Sequence, residues 1–451
     1  MKNFLALTIL VVVFTGCKNS AHRPDNQQAS TTKKKSVSDT VVLTAEKSDP
    51  KNFSWMQGFP PPEDKRLSVA DGSFFHFPAL RWSVVHMREF FPTINVSRGI
   101  GAPQPLEYEL DKKIDSLTFY PLKTREKMTF AASLDKNYTD GIIILHKGKV
   151  VYEKYFGELT EDQVHAIMSL TKSFTGTLAS ILVAEGVLDD HAPVTRYVPE
   201  LSESAYGTAT VREVMDMTTA IRFSEDYADP NADIYAFGEA GNPTPKPSDY
   251  RGPVGYFEYL KTVKKAGQHG EAFAYKTANT ETLGWIISKA TGKKVSELLS
   301  DRIWRKLGME QDAYYQIDAL GTPFAGGGLN AGLRDLARFG QLILNRGTRN
   351  NQQIIPERAV LDIMKGGDPK RFAKAGYTNL KGWSYRDMWW ITGNKHGAFM
   401  GRGVHGQAIY IDPAAQMVLV RLASHPVAAN GANDPYSLPA YDAIAEYLMN
   451  R

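Results

Sequence analysis

Two β-rich pairs of segments, one early in the chain and one near its C-terminus, constrain the fold most strongly. Residues 142–146 and 149–155 are rich in β-branched and aromatic side chains and meet at a glycine, which predicts a hairpin. Residues 407–411 and 417–422 form a second such pair. The segments between the two pairs have mainly helical patterns. We therefore predict an α+β fold, in which one antiparallel sheet is built from both chain ends, is flanked by helices, and has a mainly helical region inserted.

Composition divides the chain into three parts. The N-terminus has a basic start, a short apolar run and then small residues, which is typical of an export signal. The next stretch is polar and too poor in apolar residues to fold alone. The whole chain is 43% hydrophobic, which is ample for a core. The predicted parts are a signal peptide (1–17), a polar tether (18–51) and a folded domain (52–451), with its sheet part at about 52–165 and 395–451 and its helical part at about 166–394.

Cys17 is the only cysteine of the chain and directly follows Gly16. This placement resembles the lipobox of bacterial lipoproteins, in which the cysteine is lipidated and becomes the new N-terminus. An ordinary signal peptide that contains a cysteine is the alternative. Because Lys18 rather than an aspartate follows, we expect an exported protein that is anchored through Cys17 on the periplasmic side of the bacterial outer membrane. The single cysteine excludes a disulfide framework and thiol catalysis.

The charge balance argues against a nucleic-acid partner. Charged residues make up 23% of the chain, and the formal net charge of +4 lacks the excess that binding to a polyanion requires. The sequence contains neither a His-Glu-x-x-His zinc motif nor a Gly-x-Ser-x-Gly nucleophile elbow. We therefore predict no cofactor and no metal.

The pattern Ser-x-x-Lys occurs four times, and it has chemical meaning on a helix. Side chains three residues apart share a helix face, so the amine reaches the hydroxyl. A lysine in a dry site loses affinity for its proton and can act as a base. Only Ser169 opens an apolar helix, predicted over residues 170–185. The other pairs lie in polar stretches and are Ser30/Lys33, Ser48/Lys51 and Ser133/Lys136.

Context therefore selects Ser169 as a candidate nucleophile and Lys172 as its candidate base. The alternative for Lys172 is an ordinary lysine that extends from an amphipathic helix to the surface. The spacing and the helix context alone leave both interpretations open.

Three blocks of sequence, in order along the chain, resemble the serine β-lactamase and penicillin-binding-protein superfamily. They are residues 165–174 (HAIMSLTKSF), 273–285 (FAYKTANTETLGW) and 403–413 (GVHGQAIYIDP). Within that superfamily the blocks are similar to the class C-like branch, and most similar to the aminohexanoate-dimer (nylon-oligomer) hydrolases. The resemblance covers nearly everything from about residue 52 onward, and it implies a β-lactamase-like serine hydrolase domain.

The resemblance also implies roles for individual residues. Ser169 is the nucleophile that accepts the acyl group, and Lys172 takes its proton or holds the hydrogen-bond network that does. Tyr275 shuttles a proton to the leaving group, and the backbone N–H groups of Ser169 and Val404 form the oxyanion hole. Tyr227 contacts the substrate. An ammonium at Lys172 is expected to lower the pKa of Tyr275, so that the two titrate as a coupled pair.

The chain departs from the wider superfamily pattern at two places. Many relatives have Tyr-x-Asn, whereas here Thr277 stands at the asparagine position and Asn279 follows two residues later. Residues 401–403 read Gly-Arg-Gly, so the lysine that holds a β-lactam carboxylate is missing. We predict that Thr277, Asn279 and His405 contribute to substrate binding. For His405, a strand histidine without a role in catalysis is the favoured interpretation, and lining the site is the alternative.

The leading prediction is a serine hydrolase that cleaves an amide or ester of a small molecule through an acyl-serine intermediate. A penicillin-binding D-amino-acid peptidase or β-lactamase, acting on cell-wall-type substrates, is one alternative, and the missing lysine weakens it. A non-catalytic lipoprotein that uses the fold as a scaffold is the other, because a fold does not guarantee an activity.

Overall fold

The computed structural model describes residues 42–451, and within them strands from both chain ends meet in one sheet. In chain order the strands are β1 (Thr93–Val96), β2 (Glu107–Tyr108), β3 (Thr118–Phe119), β4 (Met128–Thr129), β5 (Thr139–His146), β6 (Lys149–Tyr155), β7 (His165–Ala166), β8 (Ile221–Arg222), β9 (Lys264–Lys265), β10 (Ala313–Gln316), β11 (Leu329–Ala331), β12 (Thr348–Arg349), β13 (Gln352–Gln353), β14 (Ser384–Arg386), β15 (Trp389–Ile391), β16 (Phe399–Gly403), β17 (Gln407–Asp412) and β18 (Met417–Ala423).

The main sheet has the order β14-β15-β16-β17-β18-β5-β6-β2. Its pairs are antiparallel, except that β2 joins the edge parallel to β6. The pairing of β18 with β5, which aligns Met417 with His146, joins the C-terminal strands to the early hairpin. The predicted antiparallel sheet from both chain ends is thus confirmed, together with both hairpins. The sheet also takes in β14 and β15, which lie ahead of the predicted boundary at about 395.

A second, smaller sheet has the order β1-β10-β11-β7. Its strands have two to four residues each, too few for period-two alternation to reveal them in the sequence. The pairing of Ala166 with Asn330 fixes the backbone that leads into Ser169. This sheet therefore positions the start of the candidate nucleophile segment.

The helices lie mainly between the two groups of main-sheet strands. They are α1 (Leu80–Ser83), α2 (Phe130–Lys136), α3 (Thr171–Ala184), α4 (Val211–Met215), α5 (Asp233–Gly241), α6 (Tyr256–Leu260), α7 (Thr277–Thr291), α8 (Val295–Arg302), α9 (Leu333–Leu344), α10 (Glu357–Lys365), α11 (Pro369–Ala373) and α12 (Asp434–Met449).

Helix α3 is buried on all sides, with Val183 alone among its residues partly exposed. Its sequence of small and apolar residues suits this position, because small side chains let neighbouring elements approach closely. At Gly176 a Cβ atom would lie 2.1 Å from the carbonyl oxygen of Asp387, so only glycine fits there. Helix α9 is amphipathic and packs its apolar face on β5, β17 and β18. Helix α3 itself contacts β15 and β16 on one side and α7 and α10 on the other, so it lies between the main sheet and the other helices.

The sequence predicted that the fold starts at residue 52, but packed residues precede that position in the structure. Ser48 is fully buried and accepts a hydrogen bond from Arg81 Nη1 at 3.0 Å. The same guanidinium donates to Asp140 Oδ1 at 3.1 Å in a buried ion pair. The C-terminal part of the predicted tether, around Ser48, therefore packs against the core. The predicted signal peptide, Cys17 and the rest of the tether lie outside the described residues.

The described range lacks two features. None of the helices between residues 42 and 451 is both long and apolar enough to cross a membrane. Over the same residues, no three His, Cys, Asp or Glu side chains are grouped as a metal site would require.

Candidate active site

Ser169 lies in the short 3-10 turn Met168–Leu170, directly ahead of α3. The preceding Met168 has a φ angle of 49°, in the left-handed region that costs a non-glycine residue free energy. The hydroxyl of Thr171 donates to the carbonyl oxygen of Met168 at 2.6 Å and holds this backbone in place. Such local strain is typical of residues that present a reactive side chain.

Lys172 is 1% exposed, so the alternative of a surface lysine is wrong. Its Nζ atom donates to Ser169 Oγ at 2.9 Å and to the carbonyl oxygen of Gly326 at 2.7 Å. Burial lowers the pKa of Lys172 to about 8, although the carboxylates of Glu225 and Glu281 act in the opposite direction. A large fraction of this amine is therefore neutral near pH 8 and able to accept a proton.

Tyr275 lies two residues ahead of α7, and its ring centroid is 5.1 Å from Lys172 Nζ. The ring packs against Trp390 with a centroid distance of 5.3 Å. Desolvation raises the pKa of Tyr275 well above its ordinary value, and the charge of Glu225 adds to this, while a contact with Ser169 opposes it. The predicted lowering of this pKa is wrong, because burial outweighs the nearby ammonium. Tyr275 is a protonated phenol at neutral pH.

Strand β16 approaches the Ser169 turn so closely that it carries glycine at two positions. A Cβ atom at Gly401 would lie 2.4 Å from Leu170 Cδ1, and one at Gly403 would lie 2.6 Å from the carbonyl oxygen of Ile167. The strand ends at Gly403, so Val404 follows immediately at the same cavity wall as Ser169. The structure thus brings together the two residues whose N–H groups the sequence predicted as the oxyanion hole.

These residues open onto a cavity of about 360 Å³. Its wall contains four of the predicted site residues, which are Ser169, Tyr227, Tyr275 and Val404. Sequence reasoning did not assign the other lining residues to the site. They are Glu225, Tyr377, Thr378, Asn379, Leu380, Trp390, Arg402, Ala429, Asn430, Gly431 and Asp434.

Glu225 organises one side of the cavity. Its carboxylate accepts hydrogen bonds from the hydroxyl of Tyr227 at 2.8 Å, and from the backbone N–H and hydroxyl of Thr277 at 2.6 and 2.7 Å. Because Thr277 is the first residue of α7, the carboxylate also sits at the positive end of the helix dipole. Tyr227 therefore lines the cavity as predicted, whereas Thr277 is buried and reaches the site only through Glu225.

Arg402 occupies another part of the wall and forms a buried ion pair with Asp434. Its guanidinium lies 5.1 Å from the ring centroid of Trp390, a distance at which cation–π attraction operates. In the sequence, Arg402 stands out only because Gly401, directly before it, replaces the lysine of the superfamily motif. The ion pair with Asp434 holds Arg402 in the wall, and Asp434 lies far from Arg402 in the sequence and belongs to no recognisable motif.

Like Thr277, the predicted substrate-binding residues Asn279 and His405 are not in the cavity wall. Asn279 is fully buried in α7, where its Oδ1 atom accepts from the hydroxyls of Thr219 at 2.6 Å and Tyr206 at 3.2 Å. His405 is held by its Nδ1 atom at 2.7 Å from the carbonyl oxygen of His425, and burial lowers its pKa to about 4. We therefore correct both predictions, since each side chain is engaged in packing and internal hydrogen bonds.

Comparisons with known proteins agree with this arrangement. The family model described as Beta-lactamase matches residues 132–440, which is more than half of the chain. The chain therefore belongs to the beta-lactamase family, and it is a serine hydrolase of that family.

Its relatives include 6-aminohexanoate-dimer hydrolases. The enzyme of that name from Paenarthrobacter ureafaciens is 34% identical over 351 residues, which are 77% of this chain and 86% of that protein. A Bacillus anthracis protein assigned to the same activity has a solved structure with a TM-score of 0.76 and 34% identity, covering 84% of this chain and 96% of that one. EstCE1, a hydrolase with promiscuous acyltransferase activity, shares the fold at a TM-score of 0.54 and 15% identity, over 69% of this chain and 95% of that one.

Proposed function

We propose that this protein hydrolyses an amide or ester bond of a small molecule through an acyl intermediate on Ser169. The observation that carries the proposal is the 2.9 Å contact between Lys172 Nζ and Ser169 Oγ, in a buried site that opens onto the cavity. A nucleophile within hydrogen-bond reach of its base is the arrangement that acyl transfer requires. The similarity to 6-aminohexanoate-dimer hydrolases adds support for a linear amide.

The chemistry proceeds in two stages at these side chains. Neutral Lys172 accepts the proton of Ser169 as Oγ attacks the substrate carbonyl carbon. The N–H groups of Ser169 and Val404 stabilise the oxyanion, each contributing roughly 3–4 kcal/mol to lowering the barrier. Tyr275 donates its phenolic proton to the leaving amine or alcohol and recovers a proton by way of Lys172. Water then attacks the acyl group and releases Ser169.

A panel of three substrate types tests this proposal. We expect turnover of a short-chain p-nitrophenyl ester and of a linear amide, and little or no turnover of the chromogenic β-lactam nitrocefin. If only nitrocefin is turned over, or a fluorescent penicillin labels the protein efficiently, the cell-wall alternative replaces the proposal.

The surroundings of Gly401 speak against that cell-wall alternative. Gly401 occupies the position of the motif lysine that holds a β-lactam carboxylate in relatives, and a Cβ atom there would lie 2.4 Å from Leu170 Cδ1 and 2.7 Å from Ser173 Oγ. A lysine at this position would require both neighbouring side chains to shift. Lys395, in a sequence that imitates the motif, is 76% exposed and pairs with Glu446 outside the cavity wall. The wall therefore lacks a lysine in the place where β-lactam recognition needs one.

The pKa of Lys172 predicts the pH dependence of the reaction. We expect kcat/KM to rise about tenfold per pH unit at low pH, because only the neutral amine accepts the serine proton. The rise ends near the pKa of about 8 to which burial lowers Lys172. The raised pKa of Tyr275 keeps its phenol protonated, so no descending limb is expected below its ordinary value of 10.0. A kcat/KM that falls as the pH rises through 8 would show that the ammonium is the active form and contradict this role.

A further inference from the structure

Glu281 is a buried carboxyl group that the reaction as described does not use. It lies on α7, on the turn that follows Tyr275, and is 0% exposed. Its Oε1 atom accepts a hydrogen bond from the backbone N–H of Gly326, while its Oε2 atom has no hydrogen-bond partner among the described residues. A buried carboxyl oxygen without a partner is costly, so its presence calls for a functional explanation.

Gly326 connects this carboxyl group to the candidate base. Its N–H donates to Glu281, and its carbonyl oxygen accepts from Lys172 Nζ at 2.7 Å. A Cβ atom at this position would lie 2.8 Å from Thr277 Cγ2 and 3.0 Å from Glu281 Oε1. The adjoining carbonyl oxygen of Ala325 accepts from the hydroxyl of Thr175 at 2.8 Å, which ties the same segment to α3. The position of the acceptor for Lys172 therefore depends on Glu281.

The charges around Glu281 make its ionisation sensitive to Lys172. Burial raises the pKa of Glu281 to about 8, while the N–H groups of Gly326 and Ala325 and the charge of Lys172 oppose the rise and Asp318 adds to it. Glu281 is therefore largely a neutral carboxylic acid below pH 8, and its contact with Gly326 does not require a negative charge. A charge on Glu281 also raises the pKa values of three buried phenols, which are those of Tyr206, Tyr256 and Tyr315.

We propose that Glu281 is a positioning residue for Lys172: by accepting the N–H of Gly326, it holds that residue where the carbonyl oxygen orients the amine. The inference rests on the proposed role of Lys172 as the base. The carboxylate that most favours the ammonium form of Lys172 is that of Glu225, so Glu281 acts through geometry.

The Glu281→Gln variant keeps the hydrogen bond and removes the acid group, because its amide oxygen still accepts from Gly326. With a fluorophosphonate probe that labels Ser169 in a single turnover, we expect the plateau of its rate–pH profile to stay within about twofold of the wild type. A Glu281→Gln plateau more than about tenfold below the wild type would overturn the proposal, because the preserved hydrogen bond would then not preserve the function of Lys172.

The Glu281→Leu variant removes the hydrogen bond as well as the charge. We expect its labelling rate on the high-pH plateau to fall by about tenfold or more below that of Glu281→Gln, because Gly326 loses its anchor and Lys172 its fixed acceptor. Equal plateau rates in the two variants would overturn the positioning role. If the wild-type protein itself is not labelled, the proposed function fails, which is distinct from a labelled wild type whose plateau rate Glu281→Leu does not lower.

Discussion

Replacing Ser169 with alanine is expected to lower kcat for a p-nitrophenyl ester by at least about 10⁴-fold. The variant lacks the only hydroxyl that contacts Lys172 Nζ in the described part of the chain. The oxyanion N–H groups and the cavity remain, but no side chain is left to carry the acyl group. Steady-state kinetics at pH 8.5, where most Lys172 side chains are neutral, measure the loss.

Ser133→Ala is the matched control for this loss. Ser133 belongs to the same Ser-x-x-Lys pattern and is also buried, at 1% exposure against 8% for Ser169, but its hydroxyl donates to the carbonyl oxygen of Phe130 inside α2. We expect Ser133→Ala to keep wild-type turnover and to lose at most about 1 kcal/mol of stability. Turnover by Ser169→Ala within about tenfold of the wild type would exclude Ser169 as the nucleophile.

Replacing Lys172 with methionine is expected to lower kcat/KM by about 10³-fold and to abolish the rise of the rate up to pH 8. Methionine has a similar length and fills the same buried space, so the fold should survive. Because the buried amine loses favourable hydration on folding, its removal should leave the unfolding temperature unchanged or raise it. Kinetics from about pH 6 to pH 10 and thermal unfolding of the same samples check both expectations.

The control for this variant is Lys136→Met, which changes the lysine of the Ser133/Lys136 pair. Lys136 is exposed at the end of α2 and lies outside the cavity wall. We expect its pH profile to coincide with that of the wild type. A Lys172→Met enzyme with the wild-type pH profile would assign the titrating group to another side chain.

The sequence predicted the parts of the site that are local. Ser169 lies in the 3-10 turn that leads into α3 and Lys172 in the first turn of α3, so their spacing of three residues implies their contact. The strands of both hairpins in the main sheet have clear alternating or apolar runs. The resemblance to a known family supplied Tyr275 and Val404, which no local pattern would have selected.

The parts that were missed depend on tertiary contacts. Glu225 accepts hydrogen bonds from Thr277, and Glu281 accepts one from Gly326, each across a long stretch of sequence. The direction of the Tyr275 pKa shift was mispredicted for the same reason, because the degree of desolvation is set by the packed fold. Burial is a property of the assembled chain, and no short motif encodes it.

Asn279 shows the opposite error, because it was predicted to bind substrate only on account of its position close to the Tyr275 motif. A side chain two positions beyond Thr277 on α7 points to a different side of the helix, and there it meets Tyr206 and Thr219. Once the start of α7 at Thr277 is known, helix geometry alone separates Asn279 from the cavity.

Peptide mapping after treatment with a fluorophosphonate tests the central claim most directly. The protein is incubated with the probe at pH 8.5, its residual esterase activity is followed, and the tryptic peptide of residues 155–172 is analysed by mass spectrometry. The account predicts one probe adduct per molecule, located on Ser169, whose appearance parallels the loss of activity and is absent from Ser169→Ala. Inactivation with the adduct on another residue, or full activity in a protein whose Ser169 is quantitatively modified, would contradict it.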